Sequence, residues 1–113
     1  MPGGQAMIPR HTIDEMARRI AARFQPEKII LFGSYARGEA DENSDVDLLV
    51  VLDNPPPRGK RSAPIIRMLA HEYDLPVDVI VRSPKGLDEW KSVPGSFAQR
   101  VLVEGVTLYE KSK

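Results

Sequence analysis

The run Val46-Asp47-Leu48-Leu49-Val50-Val51-Leu52 constrains the fold more than any other feature of the chain, because only one of its residues is polar. A strand with one face in water would alternate apolar and polar side chains. A nearly continuous apolar run instead indicates a strand covered on both faces. We therefore predict that this run is a central strand of a sheet.

Helical and strand patterns alternate on both sides of this central strand. Apolar residues at helical spacing predict a first helix over Thr12 to Phe24, with Thr12 and Glu15 in a capping-box pattern. This alternation of helices with strands predicts an α/β (α+β) fold. The other predicted elements are strands over Lys28 to Phe32, Val77 to Val81 and Val106 to Tyr109, helices starting at Ser83 and Ser96, and a helix over Ser62 to Tyr73 with Ile65, Ile66, Leu69 and Tyr73 on its apolar side.

The length and charge of the chain limit its organisation and its partners. With 113 residues it accommodates one compact domain, which we assign to residues 12–113, and residues 1–11 are expected to be a flexible leader. Sixteen Lys and Arg balance sixteen Asp and Glu, so net charge does not favour long nucleic acid or an anionic membrane. Cysteine is absent, which excludes disulfides and thiolate metal sites. No segment approaches membrane-spanning length, and a cytoplasmic location is expected.

Two acidic residues flank Val46 at the start of the central strand. Because side chains alternate along a strand, Asp45 and Asp47 point to one face, about 6.6 Å apart along the backbone. Like charges held this close are unfavourable unless a hard, oxygen-seeking cation such as Mg²⁺ neutralises them. For an isolated pair, the alternative is an ordinary polar strand edge.

Asp78 interrupts the otherwise apolar strand Val77 to Val81. An unpaired carboxylate buried there would be unfavourable. If this strand lies beside the central strand, Asp78 joins Asp45 and Asp47 in a cluster able to hold metal ions roughly 3.5–4 Å apart. The alternative is an Asp exposed at the surface of the sheet.

Gly33-Ser34 lies where the strand ending at Phe32 gives way to a helix. Glycine permits close approach of the backbone, and serine offers a hydroxyl and exposed amides, so this corner suits phosphate. Arg37 follows within one turn, where its guanidinium could reach phosphate oxygens. The alternatives are a helix cap for Ser34 and a solvated helix residue for Arg37.

The complete pattern consists of Gly33-Ser34, ten intervening residues, Asp45-Val46-Asp47 and then Asp78 in a later strand. It resembles the nucleotidyltransferase superfamily of DNA polymerase beta. The string from Gly33 to Gly38, followed by Ser44-Asp45-Val46-Asp47-Leu48, most resembles the minimal nucleotidyltransferase (MNT) branch. The resemblance covers nearly the whole chain, including the closing segment Glu104 to Tyr109.

This resemblance implies a mixed sheet backed by helices, an ATP-type substrate and two Mg²⁺ ions, with Mn²⁺ as an alternative metal. Ser34 and its backbone would hold the terminal phosphates, Asp45 and Asp47 the nucleotide-bound metal, and Asp78 the second metal. An acceptor hydroxyl would then attack the α-phosphorus and release pyrophosphate.

The resemblance also implies a partner. Members of the MNT branch pair as antitoxins with a small helical toxin of the HEPN family, and they transfer AMP to a tyrosine of that ribonuclease. Two alternatives remain from the sequence: transfer to a small hydroxyl compound, although relatives with that activity carry an additional helical domain, and a non-catalytic antitoxin that acts by contact alone.

Overall fold

The computed structural model describes residues 8–57 and 59–111, in which helices and strands alternate except for two consecutive helices before the last strand. In these residues no helix combines the length and apolar character needed to cross a membrane. Every predicted element is present, and no predicted end differs from the observed one by more than two residues. The elements are α1 (Arg10–Phe24), β1 (Lys28–Phe32), α2 (Ser34–Arg37), β2 (Val46–Val51), α3 (Ala63–Glu72), β3 (Val77–Arg82), α4 (Pro84–Lys91), α5 (Phe97–Glu104) and β4 (Val106–Glu110).

The four strands form one mixed sheet in the order β3-β2-β1-β4. Strand β1 is antiparallel to both β2 and β4, whereas β2 and β3 are parallel. The predicted central position of β2 is confirmed, and so is the prediction that the strand carrying Asp78 lies beside it. Because β2 and β3 run in the same direction, the chain must return from the end of β2 to the opposite end of the sheet before β3 begins. This crossover connection contains α3.

Helices cover the sheet on both sides, which explains the unbroken apolar run in β2. One side, the α1/α3 face, packs the residues Ile13, Met16, Ile20, Ile29, Leu31, Leu48, Val50, Ile65, Leu69, Val79 and Val81. The other side, the α4/α5 face, packs a smaller set, Ile30, Phe32, Leu49, Val51, Leu87 and Val101. Alternate side chains of β2 therefore enter two separate apolar clusters.

The first helix begins earlier than the capping-box pattern predicts. Pro9, in extended conformation, is its N-cap, and the Pro9 carbonyl accepts hydrogen bonds from the amides of Thr12 and Ile13 at 3.1 and 3.2 Å. Thr12 therefore lies inside the helix, two residues after its start at Arg10. The buried Ile8 also belongs to the folded part, since its amide donates to the Tyr35 hydroxyl at 3.1 Å. Residues 1–7 of the predicted leader lie outside the described residues.

The apolar side of α3 is narrower than predicted. Ile65 is fully buried and Leu69 is 2% exposed, but Ile66 is 37% exposed. Successive helical residues are turned by about 100°, so a stripe centred on Ile65 and Leu69 leaves Ile66 at its margin. Tyr73 ends the helix as its C-cap, and its hydroxyl donates to Glu15 Oε1 of α1 at 2.5 Å.

This difference between adjacent isoleucines yields a stability prediction. We expect Ile65→Ala to lower the free energy of unfolding by roughly 2–5 kcal/mol, because it leaves a cavity in the core, and Ile66→Ala to lower it by less than about 1 kcal/mol. Chemical denaturation of both variants measures the two changes. Equal losses would show that both side chains pack in the core.

Candidate active site

Asp47 of β2 and Asp78 of β3 are partners in the parallel register. Both side chains point to the α4/α5 face, and adjacent strands in a sheet lie about 4.8 Å apart. Asp47 is half-buried. Asp78 is exposed, because β3 is an edge strand of the sheet. Asp78 is thus exposed at the surface of the sheet, as one of the two interpretations of the sequence has it, and it lies beside Asp47.

The pKa of Asp47 reflects its burial and its acidic neighbours. Its pKa is raised to about 6, first by burial and then by the negative charges of Asp78 and Asp45, while Arg37 acts in the opposite direction. Asp45 is exposed and directly precedes β2, so it lies at the approach to the pair. A half-buried carboxylate with two acidic neighbours is a group that a bound cation would stabilise in its charged form.

Gly33 forms a tight corner against Asp47. It follows β1 with φ 77° and ψ −157°, a conformation that side-chain-bearing residues rarely adopt. A Cβ atom at this position would overlap Asp47 Oδ2. Glycine therefore satisfies two requirements at once, because it permits the positive φ and leaves the space that the carboxylate occupies.

Arg37, at the end of the short helix α2, reaches two carboxylates. Its Nε donates to Glu39 Oε1 at 2.9 Å, and one terminal nitrogen donates to Glu104 Oε1 at 3.3 Å. Glu104 belongs to α5, so this second contact joins α2 to α5. These contacts use two of the five guanidinium N–H donors, so a phosphate could bind beside the carboxylates or replace one of them.

These residues border an open cleft of about 530 Å³. This volume lies within the roughly 300–1,000 Å³ of small-molecule sites. Ser34 and Asp45 are not among the lining residues, although Ser34 directly follows Gly33 and begins α2. The structure thus brings four of the six predicted site residues into one cleft, which is lined by Phe32, Gly33, Arg37, Asp47, Asp78, Ile80, Phe97, Arg100, Val101 and Glu104.

The carboxylates of Asp47 and Asp78 are oxygen donors of the kind that Mg²⁺ takes. Within the described residues, no group of three or more His, Asp or Glu side chains has the spacing of a metal site. The predicted three-carboxylate cluster is therefore represented by the Asp47–Asp78 pair, with Asp45 outside the cleft. Mg²⁺ in phosphate-handling sites commonly takes only one or two carboxylates and completes its coordination with water and substrate phosphates. The donor chemistry of the pair fits that arrangement.

Sequence reasoning missed the contribution of α5 to this cleft. Phe97, Arg100 and Glu104 recur at intervals of three and four residues, so they share one side of the helix. Two charged residues on that side indicate that it does not enter the apolar core, and this spacing is the signal that could have identified them. Only the fold shows that this side faces Asp47.

A larger groove of about 860 Å³ lies between α1 and α3, on the opposite face of the sheet. Among the described residues that line it, Glu72 is the only acidic one, and it pairs with Arg19 at 2.8 Å. Since the described part of this groove has no pair of carboxylates, we assign the chemistry to the smaller cleft around Asp47.

We expect Asp47→Asn to stabilise the metal-free protein at neutral pH. The folded-state pKa of Asp47, about 6, exceeds the value of about 3.9 for an unfolded Asp. The folded state therefore holds the extra proton between these values, and stability falls as pH rises through that window. Asparagine carries no charge at any of these pH values, so the variant does not lose this stability as the pH rises.

Melting temperatures in the presence of a chelator, at about pH 7.5 and about pH 4, measure the effect. At the higher pH, the melting temperature of Asp47→Asn should exceed that of the native protein. This difference in melting temperature should be smaller at the lower pH. Asp74→Asn, which changes an exposed Asp, is the control and should show no such difference. A difference that does not depend on pH would contradict the assignment.

Comparison with known proteins identifies the family. Residues 13–104 match the family model described as "Nucleotidyltransferase domain". "Putative protein adenylyltransferase MJ0604" of Methanocaldococcus jannaschii is 39% identical over 105 residues, which cover 91% of this chain and 100% of that protein. "Putative protein adenylyltransferase MJ0141" of the same organism is 40% identical over 82 residues, 73% of this chain and 78% of that protein.

Solved structures share the fold. A chain from the "Crystal structure of the toxin-antitoxin with AMP-PNP" superposes with a TM-score of 0.65 and 24% identity, covering 88% of this chain and 74% of that one. The carboxylate pair and the glycine corner thus occur in a chain whose sequence matches the family model over most of its length. This chain belongs to the nucleotidyltransferase domain family.

Proposed function

We propose that this protein transfers AMP from ATP to a hydroxyl of a partner protein and that it acts as the antitoxin of a small helical HEPN-type toxin. The observation that carries the proposal is the pairing of Asp47 with Asp78 beside the Gly33 corner. Two further facts support it: relatives over most of this chain carry the name protein adenylyltransferase, and a chain with the same fold comes from a toxin–antitoxin crystal structure.

In this proposal, Asp47 and Asp78 would hold Mg²⁺ together with phosphate oxygens, and Asp45 would contribute from the approach to β2. Two ions are expected, with Mn²⁺ as a substitute. When bound, the metal neutralises the phosphates and lowers the pKa of the acceptor hydroxyl. The acidic residues, in turn, keep an unaccompanied triphosphate out of the cleft by like-charge repulsion.

The other side of the cleft receives the phosphates. Gly33 lets the backbone approach them closely, and Ser34 follows with its hydroxyl at the start of α2. Arg37 binds phosphate oxygens by exchanging its contact with Glu104 for one with the substrate. Binding of ATP therefore involves both α2 and the end of α5.

The acceptor enters from the side of β3. Asp78 is exposed on the outer strand, so a hydroxyl from a separate molecule reaches this carboxylate without displacing the core. The acceptor oxygen loses its proton to water and forms a bond to the α-phosphorus, while the bond between that phosphorus and the leaving pyrophosphate breaks. An exposed carboxylate at this position suits an acceptor on the surface of another protein.

We predict that tight binding of ATP requires Mg²⁺ or Mn²⁺, because the carboxylates of the cleft repel a polyphosphate until cations intervene. Calorimetric titration with ATP, with the metal and then with a chelator, measures the difference. Equal affinity in both conditions would contradict the assignment of the carboxylates to metal.

We also predict that Asp45→Asn and Asp47→Asn each reduce AMP transfer by about a thousandfold or more, the scale seen when a group that stabilises phosphoryl-transfer charge is removed. Incubation of each variant with the HEPN-type toxin, ATP and Mg²⁺, followed by intact-mass measurement, reports the added AMP. Asp74→Asn changes an exposed carboxylate that belongs neither to the cleft nor to the approach to β2, so it should retain full transfer.

The same measurement separates catalysis from neutralisation by contact. The native protein should add the mass of AMP to the toxin, whereas Asp47→Asn should add none even if it still forms the complex. A toxin that is neutralised by the native protein without any change in mass would contradict the enzymatic proposal.

A further inference from the structure

A groove continues from the catalytic cleft along the outer strand β3. The cleft shares Ile80 and Phe97 with a second recess of about 460 Å³. That recess shares Arg61, Arg82 and Trp90 with a third of about 520 Å³. The three recesses form one continuous path, which we call the acceptor groove.

The two long walls of the acceptor groove differ in character. Asp78, Ile80 and Arg82 are alternate residues of β3, so they lie along one face of the strand. Opposite them lie two aromatic side chains, Phe97 and Trp90, with ring centroids 5.9 Å apart. Phe97 is 42% exposed although it lies beside the core. The middle of the groove is therefore apolar and accessible.

The two ends of the groove carry opposite charge. Asp47 and Asp78 occupy the end in the cleft. At the far end, the Arg82 guanidinium lies over the Trp90 ring at 4.6 Å from its centroid. Arg61 is held there by a 2.8 Å hydrogen bond from its Nε to the Pro56 carbonyl.

Lys85 adds a further cation to the far end, and Glu89 is the one acidic residue among the described residues that line it. The cations of this end are thus in excess over its acids.

We propose that the acceptor groove binds an extended segment of the partner protein, with its acceptor hydroxyl at Asp78 and acidic residues at the cationic end. This inference rests on the proposed function and specifies its protein substrate. Asp78 and Arg82 are four residues apart, about 13 Å along an extended strand, so the acidic residues should lie about four positions from the acceptor residue. An extended segment suits this site because β3 has no strand on its outer side among the described residues.

Two fluorescein-labelled peptides test the proposal. Each carries one tyrosine, an apolar spacer and, about four positions further along, either two glutamates or two lysines. Binding to the full chain is followed by fluorescence anisotropy in the presence of Mg²⁺ and α,β-methylene-ATP, an analogue whose bond between the α- and β-phosphates is not cleaved. The glutamate peptide should bind about fivefold or more tightly than the lysine peptide, and added salt should reduce the difference because it screens the charges.

Substitutions that change charge test whether the preference for the glutamate peptide arises in the acceptor groove. Lys85→Glu should remove or invert the preference, and Arg82→Gln should weaken it. Arg67→Glu makes a charge change of the same size and sign on the opposite face of the sheet and should leave the preference unchanged. Lys85 is exposed on α4, so its replacement should not disturb the fold.

Two controls separate this inference from the proposed function. Calorimetry should give the same affinity for ATP with Mg²⁺ in the native, Lys85→Glu and Arg67→Glu proteins. Anisotropy needs no chemical step, so it tests the groove even if AMP transfer fails. Equal binding of the two peptides, or a preference that survives Lys85→Glu, would overturn the inference. Tighter binding of a labelled single-stranded RNA that is lost in Lys85→Glu would overturn it in favour of a nucleic-acid strand.

Discussion

The parallel pairing of β2 with β3 is the constraint on which the site depends. It places Asp47 and Asp78 at the same level of the sheet and on the same face. A shift of one residue in this register would turn Asp78 toward the α1/α3 core, where a carboxylate has no partner. The apolar residues Val79 and Val81 oppose that shift because both are buried in the same core. The hydrophobic effect thus fixes the relative position of two charged groups that repel each other.

The sequence was sufficient to predict the elements of the fold because local patterns determine them. The apolar run of β2, the helical spacing of α1 and the serine caps of α4 and α5 all depend on neighbours in the chain. Both Ser83 and Ser96 accept the expected hydrogen bond, from Gly86 and Gln99. The start of α1 was missed because Pro9 caps it through its carbonyl alone, which no side-chain pattern reveals.

The site was predictable only in part, because its remaining members meet through the fold. Glu104 is 67 residues away from Arg37 along the chain, and no spacing rule connects them. The exposure of Asp78 likewise follows from the outer position of β3, and the sequence of that strand does not indicate it. The carboxylates and Gly33 could be proposed because their chemistry requires those residue types. The chemistry does not require a particular residue type at the position of Arg100, so its place in the cleft could not be predicted from the sequence.

The connection through α3 has a consequence for where chemistry occurs on the sheet. Crossovers between parallel strands are almost always right-handed, a preference that originates in the L-configuration of the residues. Strand order and strand direction together therefore determine which side of the sheet receives the connecting helix. Here α3 packs on the side opposite Asp47 and Asp78, through Ile65 and Leu69. Backbone chirality has assigned one side of the sheet to the crossover, and Asp47 and Asp78 lie on the other side, in the cleft beside α5.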